Sequence, residues 1–318
     1  MIEQKIRYRK ARDFGQIFAA TFGYIKQNFK SFFGSIILFT VPFVALIAIL
    51  GINIVSRAAA GGADWFNSWS VIESMALIFF LIFIFVLLVQ TVYVTVINEH
   101  LIINEQLEEN EKVKTSDIGK NFFNSFWRVL GNAILLGILS VIALIIYSIF
   151  NSMITMAFGT MGAGGIIFAA LFQLLTSLLI SPILAYVSIA TLFAVQKEKV
   201  GVITALGYVF RYLKGNFWAT WGVSFVGYMM TYICSIIVAI PMIIFAILAI
   251  VSRVNYTGEA SSELGMGTII AGAIIFVITV ALFMCVYALY FLICSFQYTS
   301  LEEKKEGVSI IEKINQIQ

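Results

Sequence analysis

Few side chains in this sequence can do acid–base chemistry, and the first pair to consider is His100 with the adjoining Glu99. A carboxylate next to an imidazole is the pairing of a general base with the group that orients it. His100 is the only histidine, however, and no GxSxG elbow, phosphate-binding loop or metal-ligand spacing accompanies it. The sequence therefore predicts a pair of hydrated polar side chains rather than a catalytic site. We expect a protein that is not an enzyme and that carries no cofactor and no metal ion.

Neutral polar residues within long apolar segments form the second candidate site. Gln90 and Gln173 lie deepest in these segments, and Tyr232 and Tyr287 lie in two others. A polar side chain in an apolar environment is costly unless it finds a hydrogen-bond partner. Interhelical hydrogen bonding is the role that we expect for these residues. The alternative is a neutral cavity that binds a substrate.

The elements that carry these side chains are six apolar segments, too long and too apolar for a soluble protein. The sequence is 61% hydrophobic and only 12% charged, whereas about 25% of the residues of a soluble domain are charged. A helix needs about 20 apolar residues to cross a bilayer. One long stretch holds two such helices, separated by the glycine-rich residues 159–165. The predicted spans are residues 32–56, 73–98, 130–156, 166–194, 219–251 and 266–298.

The basic residues predict how these spans are oriented. Of the 20 lysines and arginines, 18 lie in segments that alternate onto one side of the membrane, namely residues 1–31, 99–129, 197–214 and 302–318. Lysine and arginine are retained on the cytoplasmic side, so both chain ends are predicted to be cytoplasmic. The same bias accounts for the net charge of +3, and we expect no nucleic-acid partner.

A motif of aromatic residues and asparagine recurs three times along the sequence. Residues 12–25 align without gaps with residues 116–129, and a third copy begins near Val200. Each copy is followed by two predicted spans, which gives the repeat units 12–98, 116–194 and 201–298. The predicted fold is therefore an all-α integral membrane protein, a single membrane domain over residues 1–318. Its six transmembrane helices form three repeats of an amphipathic helix plus a helical hairpin.

The amphipathic helices are predicted over residues 12–29, 116–129 and 201–216. Their apolar positions recur every three or four residues, which places them on one helical face. A helix with an aromatic face and basic ends is typical of the headgroup layer of a membrane; the alternative is a linker helix packed on its neighbours. An asparagine at the end of each helix is predicted to accept hydrogen bonds from free amides at a helix start. The residues that define these interfacial elbows are Phe18, Phe22, Asn28, Phe126, Asn132, Phe210 and Asn216.

The second span is predicted to continue as a helix into the cytoplasm. Residues 99–114 keep the apolar spacing of that span and carry five glutamates. We interpret Glu105, Glu108 and Glu109 as a candidate docking face, and the alternative is a face that is only hydrated. Residues 302–318 are predicted to form a cytoplasmic tail.

The start of the sequence resembles a motif of bacterial six-span proteins. It reads Arg12-Asp-Phe-Gly and then Phe22-Gly-Tyr-Ile-Lys-Gln-Asn-Phe-Lys30, and a span with a proline follows. In this motif the chain is similar to the protein group named for the membrane domain of glycerophosphoryl diester phosphodiesterase. The resemblance implies a six-span protein of a bacterial inner membrane, which the Lys-, Ile-, Phe- and Asn-rich composition also favours. It does not extend to the phosphodiesterase activity, because that chemistry belongs to a separate soluble domain.

These observations favour a non-enzymatic membrane protein, such as a scaffold or accessory subunit of a membrane protein complex. Its expected partners are the lipid bilayer and either another membrane protein or further copies of the same chain. The competing hypothesis is a transporter or channel for a lipid or another amphiphile. The predicted spans carry no ionisable residue at their centres, so such a protein would use a neutral polar cavity, and a continuous cavity that reaches Gln90 and Gln173 would favour this hypothesis over the scaffold.

Overall fold

The computed structural model describes residues 5–60, 69–108, 111–255 and 266–307. Within these ranges the chain forms seven α-helices and no strand. The helices are α1 (Phe14–Ala60), α2 (Trp69–Gln106), α3 (Thr115–Gly159), α4 (Gly162–Glu198), α5 (Val202–Leu213), α6 (Phe217–Asn255) and α7 (Met266–Glu306). α5 is short, and the other six are long and apolar enough to cross a bilayer. The predicted all-α membrane fold with six spanning helices is therefore confirmed.

The break between the third and fourth spans falls where the glycines predict it. α3 ends at Gly159 and α4 begins at Gly162, with only Thr160 and Met161 between them. Gly162 has a φ of +75°, a left-handed conformation that glycine adopts without the steric cost of a Cβ. This tight turn folds α3 and α4 into a hairpin.

The long helices form an inner group of three and an outer group of three. α2, α4 and α7 contact one another. α1 packs against α2 and α7, α3 against α2 and α4, and α6 against α4 and α7. Each hairpin thus contributes one outer and one inner helix. This order of contacts is expected for three hairpins around a common axis, while the sequence relationship between the three units stays a prediction.

The packed core lies at one end of the bundle, which we call the basic end. Its buried segments are residues 91–101 of α2, 189–196 of α4 and 290–303 of α7. Residues 5–13 and α5 cover this end. At the opposite end, the far end, large apolar side chains of the same helices are exposed: Phe79 by 66%, Leu174 by 57% and Val277 by 65%. In a bilayer such side chains contact lipid chains, which are as apolar as they are.

Two of the three predicted elbows are present. Asn28 has non-helical backbone angles inside α1, with φ −120° and ψ 19°, and a turn over residues 214–216 separates α5 from α6. The elbow predicted at Asn132 is wrong, because α3 runs from Thr115 to Gly159 as one helix. The amphipathic segment 116–129 is therefore a straight continuation of the third span.

A continuous buried face explains why α3 stays straight. The buried side chains on both sides of Asn132 recur every three or four residues: Phe122, Phe126, Val129, Ala133 and Leu136. The ring of Phe122 stacks on Phe39 of α1 with 4.2 Å between centroids. A turn at Asn132 would take the second half of this face away from its neighbours, so burial outweighs the local preference for a turn.

The three asparagines nevertheless make the same hydrogen bond. Each side-chain amide donates to the backbone carbonyl four residues earlier, at 3.2 Å for Asn28, 2.9 Å for Asn132 and 3.5 Å for Asn216. These bonds satisfy carbonyls of the preceding turn, whereas the prediction had the asparagines accept from helix-start amides. Only one acceptor bond of the predicted kind is present among the described contacts, from the amide of Val202 at the start of α5 to Asn132 Oδ1 (2.8 Å).

Candidate functional site

A cavity of about 600 Å³ lies where the three inner helices separate beyond the packed core. α1 and α6 complete its wall, and α3 contributes no residue. The aliphatic and sulfur-containing lining residues are Val44, Val86, Val89, Ala185, Ile189, Val280 and Met284. The aromatic lining residues are Phe85, Tyr93, Tyr228, Tyr232, Phe283, Tyr287, Tyr290 and Phe291. The remaining lining residues are Thr40, Gln90, Ser188, Thr231 and Ser235.

The wall of the cavity is neutral. None of its lining residues is an aspartate, glutamate, lysine, arginine or histidine. Its polar groups are hydroxyls and one carboxamide. Two hydrogen bonds from these groups cross between helices. In the first, Gln90 Nε2 of α2 donates to Ser188 Oγ of α4 at 2.8 Å. Tyr93 OH donates to the backbone carbonyl of Met284 in α7 at 3.2 Å. These bonds fix the inner helices around the cavity, as expected for Gln90.

Pro182 provides a further anchor beside the cavity. It lies inside α4, and its carbonyl accepts from Ser224 Oγ of α6 at 2.5 Å and from Tyr290 OH of α7 at 3.2 Å. Ser224 Oγ and Tyr290 OH also lie 2.8 Å apart. Three helices therefore meet in one buried hydrogen-bonded group.

Two hydroxyls of the wall are buried without a partner. Thr40 Oγ1 and Ser235 Oγ are both buried and make no hydrogen bond. Thr231, one turn before Ser235 on α6, instead donates to the carbonyl of Gly227 at 2.9 Å. A buried hydroxyl without a partner is costly, which is why most are satisfied. Both residues line the cavity, and each hydroxyl would reach a molecule in it by rotation of its side chain toward the open space.

On the basic side of the cavity the inner helices continue into a buried polar layer, the polar plug, formed by Tyr8, Tyr24, Asn98, His100 and Ser295. Tyr24 OH lies 2.5 Å from His100 Nδ1. Tyr8 OH donates to Asn98 Oδ1 at 3.4 Å and accepts from Ser295 Oγ at 3.1 Å. Burial raises the pKa of Tyr8, so its phenol stays neutral and serves as both donor and acceptor. The plug closes this side of the bundle.

His100 and Glu99 do not form the pair that the sequence suggested. Besides Tyr24, His100 contacts Ser31 Oγ, which lies 3.2 Å from Nε2. Glu99 accepts from Ser125 Oγ at 2.7 Å and from Gln196 Nε2 at 3.1 Å. Consecutive helical residues point in different directions, so the two side chains join separate hydrogen-bonded groups. The predicted hydrated pair is also wrong, because both residues are buried.

Buried charge at the basic end is also compensated by an ion pair in one place and by backbone carbonyls in another. Lys197 of α4 and Glu302 of α7 form an ion pair with side-chain exposures of 8% and 5%. Arg12 donates to the carbonyls of Arg7, Tyr8 and Lys10. Burial lowers the pKa of Arg12 to about 10, so it remains charged at neutral pH. These contacts hold the N-terminal segment and the ends of α4 and α7 together.

The structure unites three of the four predicted intramembrane residues. Gln90, Tyr232 and Tyr287 line the cavity, and the two tyrosines are about half exposed at its edge. Gln173 does not reach it and instead donates to Thr155 Oγ1 of α3 at 2.9 Å. It lies more than three helical turns from Ala185 on α4, which corresponds to about 18 Å at 1.5 Å per residue. The cavity expected to connect both glutamines is therefore reached by Gln90 alone.

The predicted acidic helix is shorter and less free than expected. α2 ends at Gln106 rather than at residue 114, and Leu101 and Asn104 on it are buried. Glu105 accepts from the backbone amide of Arg9 at 3.3 Å and lies 3.9 Å from its Nε. Glu108 is exposed, and Glu109 lies outside the described residues. The N-terminal segment thus occupies part of the predicted docking face.

The elbow residues fall into two classes. Phe22 and Phe210 are exposed by 48% and 58%, as a position against lipid requires. Phe18 is partly buried against the core, and Phe126 is buried and stacks on Phe43 with 5.5 Å between centroids. Residues 302–306 of the predicted tail belong to α7, where Glu302 is buried, and residues 308–318 lie outside the described part.

No family model, no curated protein and no solved structure matches this chain. The resemblance to the phosphodiesterase membrane-domain group stays a prediction. Among the residues of the cavity, Tyr93, Tyr228, Thr231, Ser235 and Tyr290 are polar positions within spans that a pattern search finds. Thr40 and Ser188 are not separable by sequence from the many hydroxyls that bond to their own helix, because only the packing shows which hydroxyl residues line the cavity.

Proposed function

We propose that this protein binds a lipid or another amphiphile in its intramembrane cavity and carries it within the membrane. The observation that carries the proposal is the neutral cavity among α2, α4 and α7, with its apolar wall and two unpartnered hydroxyls. Binding sites for small molecules are concave, mostly apolar and about 300–1,000 Å³ in volume, with a few placed polar groups. The cavity of about 600 Å³ has these properties.

The two ends of the bundle favour access from one side. The polar plug closes the basic end, where the inner helices are buried without interruption over residues 290–303 of α7. Toward the far end the helices expose apolar side chains such as Phe79 and Val277. An amphiphile dissolved in the bilayer would therefore enter between the helices in the far half, with no need to cross water.

The scaffold hypothesis is the competing one, and it loses some of its support. The acidic face was its candidate docking surface, and Glu105 on that face is engaged with Arg9 inside the chain. The experiment below also tests the scaffold hypothesis, which a stoichiometric protein partner without bound lipid would support.

We also propose that the basic end faces the cytoplasm of a bacterial inner membrane, because 18 of the 20 basic residues lie there or in the segments joined to it. Single cysteines at residues 62 and 260 should react with an impermeant reagent from outside. Cysteines at residues 108, 199 and 310 should react only after permeabilisation. External labelling at residue 108 would contradict the orientation.

Filling the cavity tests the proposed function. Ala185→Trp places a large side chain in the wall, Val280→Phe is a milder second variant, and Ser152→Trp on the exposed face of α3 is the matched control. The proteins are purified in mild detergent, checked for a single size-exclusion peak, and extracted for lipid quantification by mass spectrometry. The wild type and Ser152→Trp should retain a bound lipid that the cavity variants lose. Equal lipid in all four, or a stoichiometric protein partner without lipid, would reject the proposal.

A further inference from the structure

We infer that the molecule bound in this cavity is an uncharged lipid whose polar head carries oxygen atoms that accept hydrogen bonds. A neutral glyceride and a prenyl quinone share this chemistry. The inference rests on the proposed function and adds the class of ligand. The observation behind it is a wall without ionic groups that nevertheless holds two unpartnered hydroxyls.

The absence of ionic groups in the wall argues against a charged head. A phosphate or an ammonium group taken out of water needs a counter-charge or several strong donors or acceptors. Among the lining residues none is ionic, and the carboxamide of Gln90 already donates to Ser188. The hydroxyls of Tyr93 and Tyr290 are likewise engaged, with the carbonyls of Met284 and Pro182. Those of Tyr228, Tyr232 and Tyr287 are neutral donors and supply no counter-charge. An uncharged head avoids the penalty that a phospholipid would incur.

The unpartnered hydroxyls argue for a polar head rather than a hydrocarbon alone. Thr40 lies on α1 and Ser235 on α6, so donors are available on two separate helices. Among the other threonines of the spans, Thr91 and Thr231 donate to their own helix, at 2.7 Å and 2.9 Å, whereas Thr95 is buried without a partner outside the cavity. Thr40 and Ser235 do not, although both hydroxyls are buried. Ester, ketone or quinone oxygens would satisfy both.

The aromatic part of the wall suits the rest of such a ligand. Tyr93 and Phe291 meet edge to face with 5.1 Å between ring centroids, and Tyr228 and Tyr290 do so at 6.1 Å. These pairs leave apolar ring surface for a chain or a flat ring and add no charge. Size, neutrality and free donors thus point to the same class of lipid.

The test compares two lipids that differ only in a phosphate. The full-length protein in nanodiscs is labelled with a photoactivatable diacylglycerol, and unlabelled diacylglycerol or phosphatidic acid with the same acyl chains competes. Diacylglycerol should compete at least tenfold better than phosphatidic acid. A third competitor, a prenyl quinone, distinguishes the two neutral classes. Peptide mapping should place the label on α2, α6 or α7 beside the cavity.

The hydroxyls are tested by removing them without changing shape. Thr40→Val combined with Ser235→Ala should weaken competition by the preferred neutral lipid about tenfold, since two neutral hydrogen bonds are lost. Ser148→Ala combined with Ser152→Ala on the exposed face of α3 is the control and should compete like the wild type. Both double variants keep the side-chain volume of the cavity, and a melting curve confirms that they fold.

Three outcomes would overturn the inference in different ways. Equal competition by phosphatidic acid would reject the neutral class and leave the proposed function standing. An unchanged affinity in the Thr40 and Ser235 double variant would reject the role of the hydroxyls. Labelling that no unlabelled lipid competes away, in a protein that folds normally, would reject the proposed function as well.

Discussion

Replacing Arg12 by methionine is expected to destabilise the protein by about 2–4 kcal/mol and to release the N-terminal segment from the basic end. The Arg12 side chain is 5% exposed. It donates to the carbonyls of Tyr8 and Lys10 at 3.1 Å and 3.2 Å, and to that of Arg7. Its guanidinium lies 4.8 Å from the ring centroid of Phe296 on α7. One side chain thus closes residues 7–12 into a loop and places that loop on α7.

The magnitude follows from these contacts and from the cost of burying a charge. Hydrogen bonds to a charged donor contribute about 1.5–3 kcal/mol each, and a cation over an aromatic ring contributes about 0.5–2 kcal/mol. The desolvation of the guanidinium, which also lowers the pKa of Arg12 to about 10, offsets several kcal/mol of this gain. Methionine keeps the apolar stem, so the loss measured is that of the polar contacts.

Unfolding in mixed detergent and sodium dodecyl sulfate measures the change, and trypsin cleavage after Lys5 and Lys10 reports release of the segment. Arg7→Met is the matched control, since the Arg7 side chain is exposed, and it should change stability by less than about 0.5 kcal/mol. Arg12→Lys should recover less than half of the loss, because one ammonium group cannot donate to three carbonyls in a fork. Wild-type stability in Arg12→Met would refute the reasoning.

Two further changes test the packing of the basic half. Phe122→Ala should cost about 3–5 kcal/mol, because its buried ring stacks on Phe39 at 4.2 Å; the same unfolding assay measures it. Lys197→Met should cost about 3–5 kcal/mol, since it leaves the buried carboxylate of Glu302 without a cation. Glu302→Gln should cost less, because Lys197 keeps Glu198 at 3.6 Å. Neutralising the partner carboxylate at low pH should shrink the effect of Lys197→Met.

The controls for these changes lie on the exposed face of α3. Phe123 is 67% exposed, so Phe123→Ala should be nearly neutral next to Phe122→Ala. Lys120 pairs with Asp117 at 2.9 Å but is largely exposed, and such pairs contribute about 0–1 kcal/mol. If Lys120→Met destabilised the protein as much as Lys197→Met, burial would not be the reason for the difference.

Most of the fold could be predicted from the sequence because the lipid bilayer restricts the backbone structures that can cross it. A bilayer leaves a continuous apolar segment only one regular structure that satisfies its backbone, so the six spans follow from hydropathy. The turn between α3 and α4 follows from glycines, one of which takes a φ of +75° at Gly162. Neither inference depends on which face of a helix meets which neighbour.

At the elbows the local sequence is not sufficient to predict the path of the helix. Asn28, Asn132 and Asn216 belong to the three predicted copies of the motif and make equivalent hydrogen bonds, yet only the first and third accompany a change of direction. The difference lies in tertiary contacts, because the buried face of α3 packs on α1 before Asn132 and continues past it onto α2. A motif of this kind predicts a local bond more reliably than it predicts the path of the helix.

The types of residue that line the candidate site could be predicted from the sequence, but the individual residues could not. Gln90 and Gln173 are indistinguishable as carboxamides within apolar spans, and yet one lines the cavity and the other bonds to Thr155 on α3. Their roles depend on the rotation of each helix about its axis and on how far the helices have separated at that depth. Hydropathy carries no information on either. The sequence therefore did not decide between interhelical hydrogen bonding and a substrate-binding cavity.

The uneven distribution of hydrogen bonds along the bundle is what joins the fold to the proposed activity. At the basic end, side chains such as Tyr8, His100 and Gln196 tie the inner helices together, and burial makes each such bond costly to break. In the far half the described side-chain bonds between helices lie within one hairpin, from Tyr147 of α3 to Ser177 of α4 and from Gln173 of α4 to Thr155 of α3. The helices α2, α6 and α7 expose apolar side chains there, which lipid can replace as neighbours. Separation of the three hairpins from one another is therefore least costly in the far half. A ligand that entered there would need to displace only lipid, whereas passage to the basic end would require the polar plug to break.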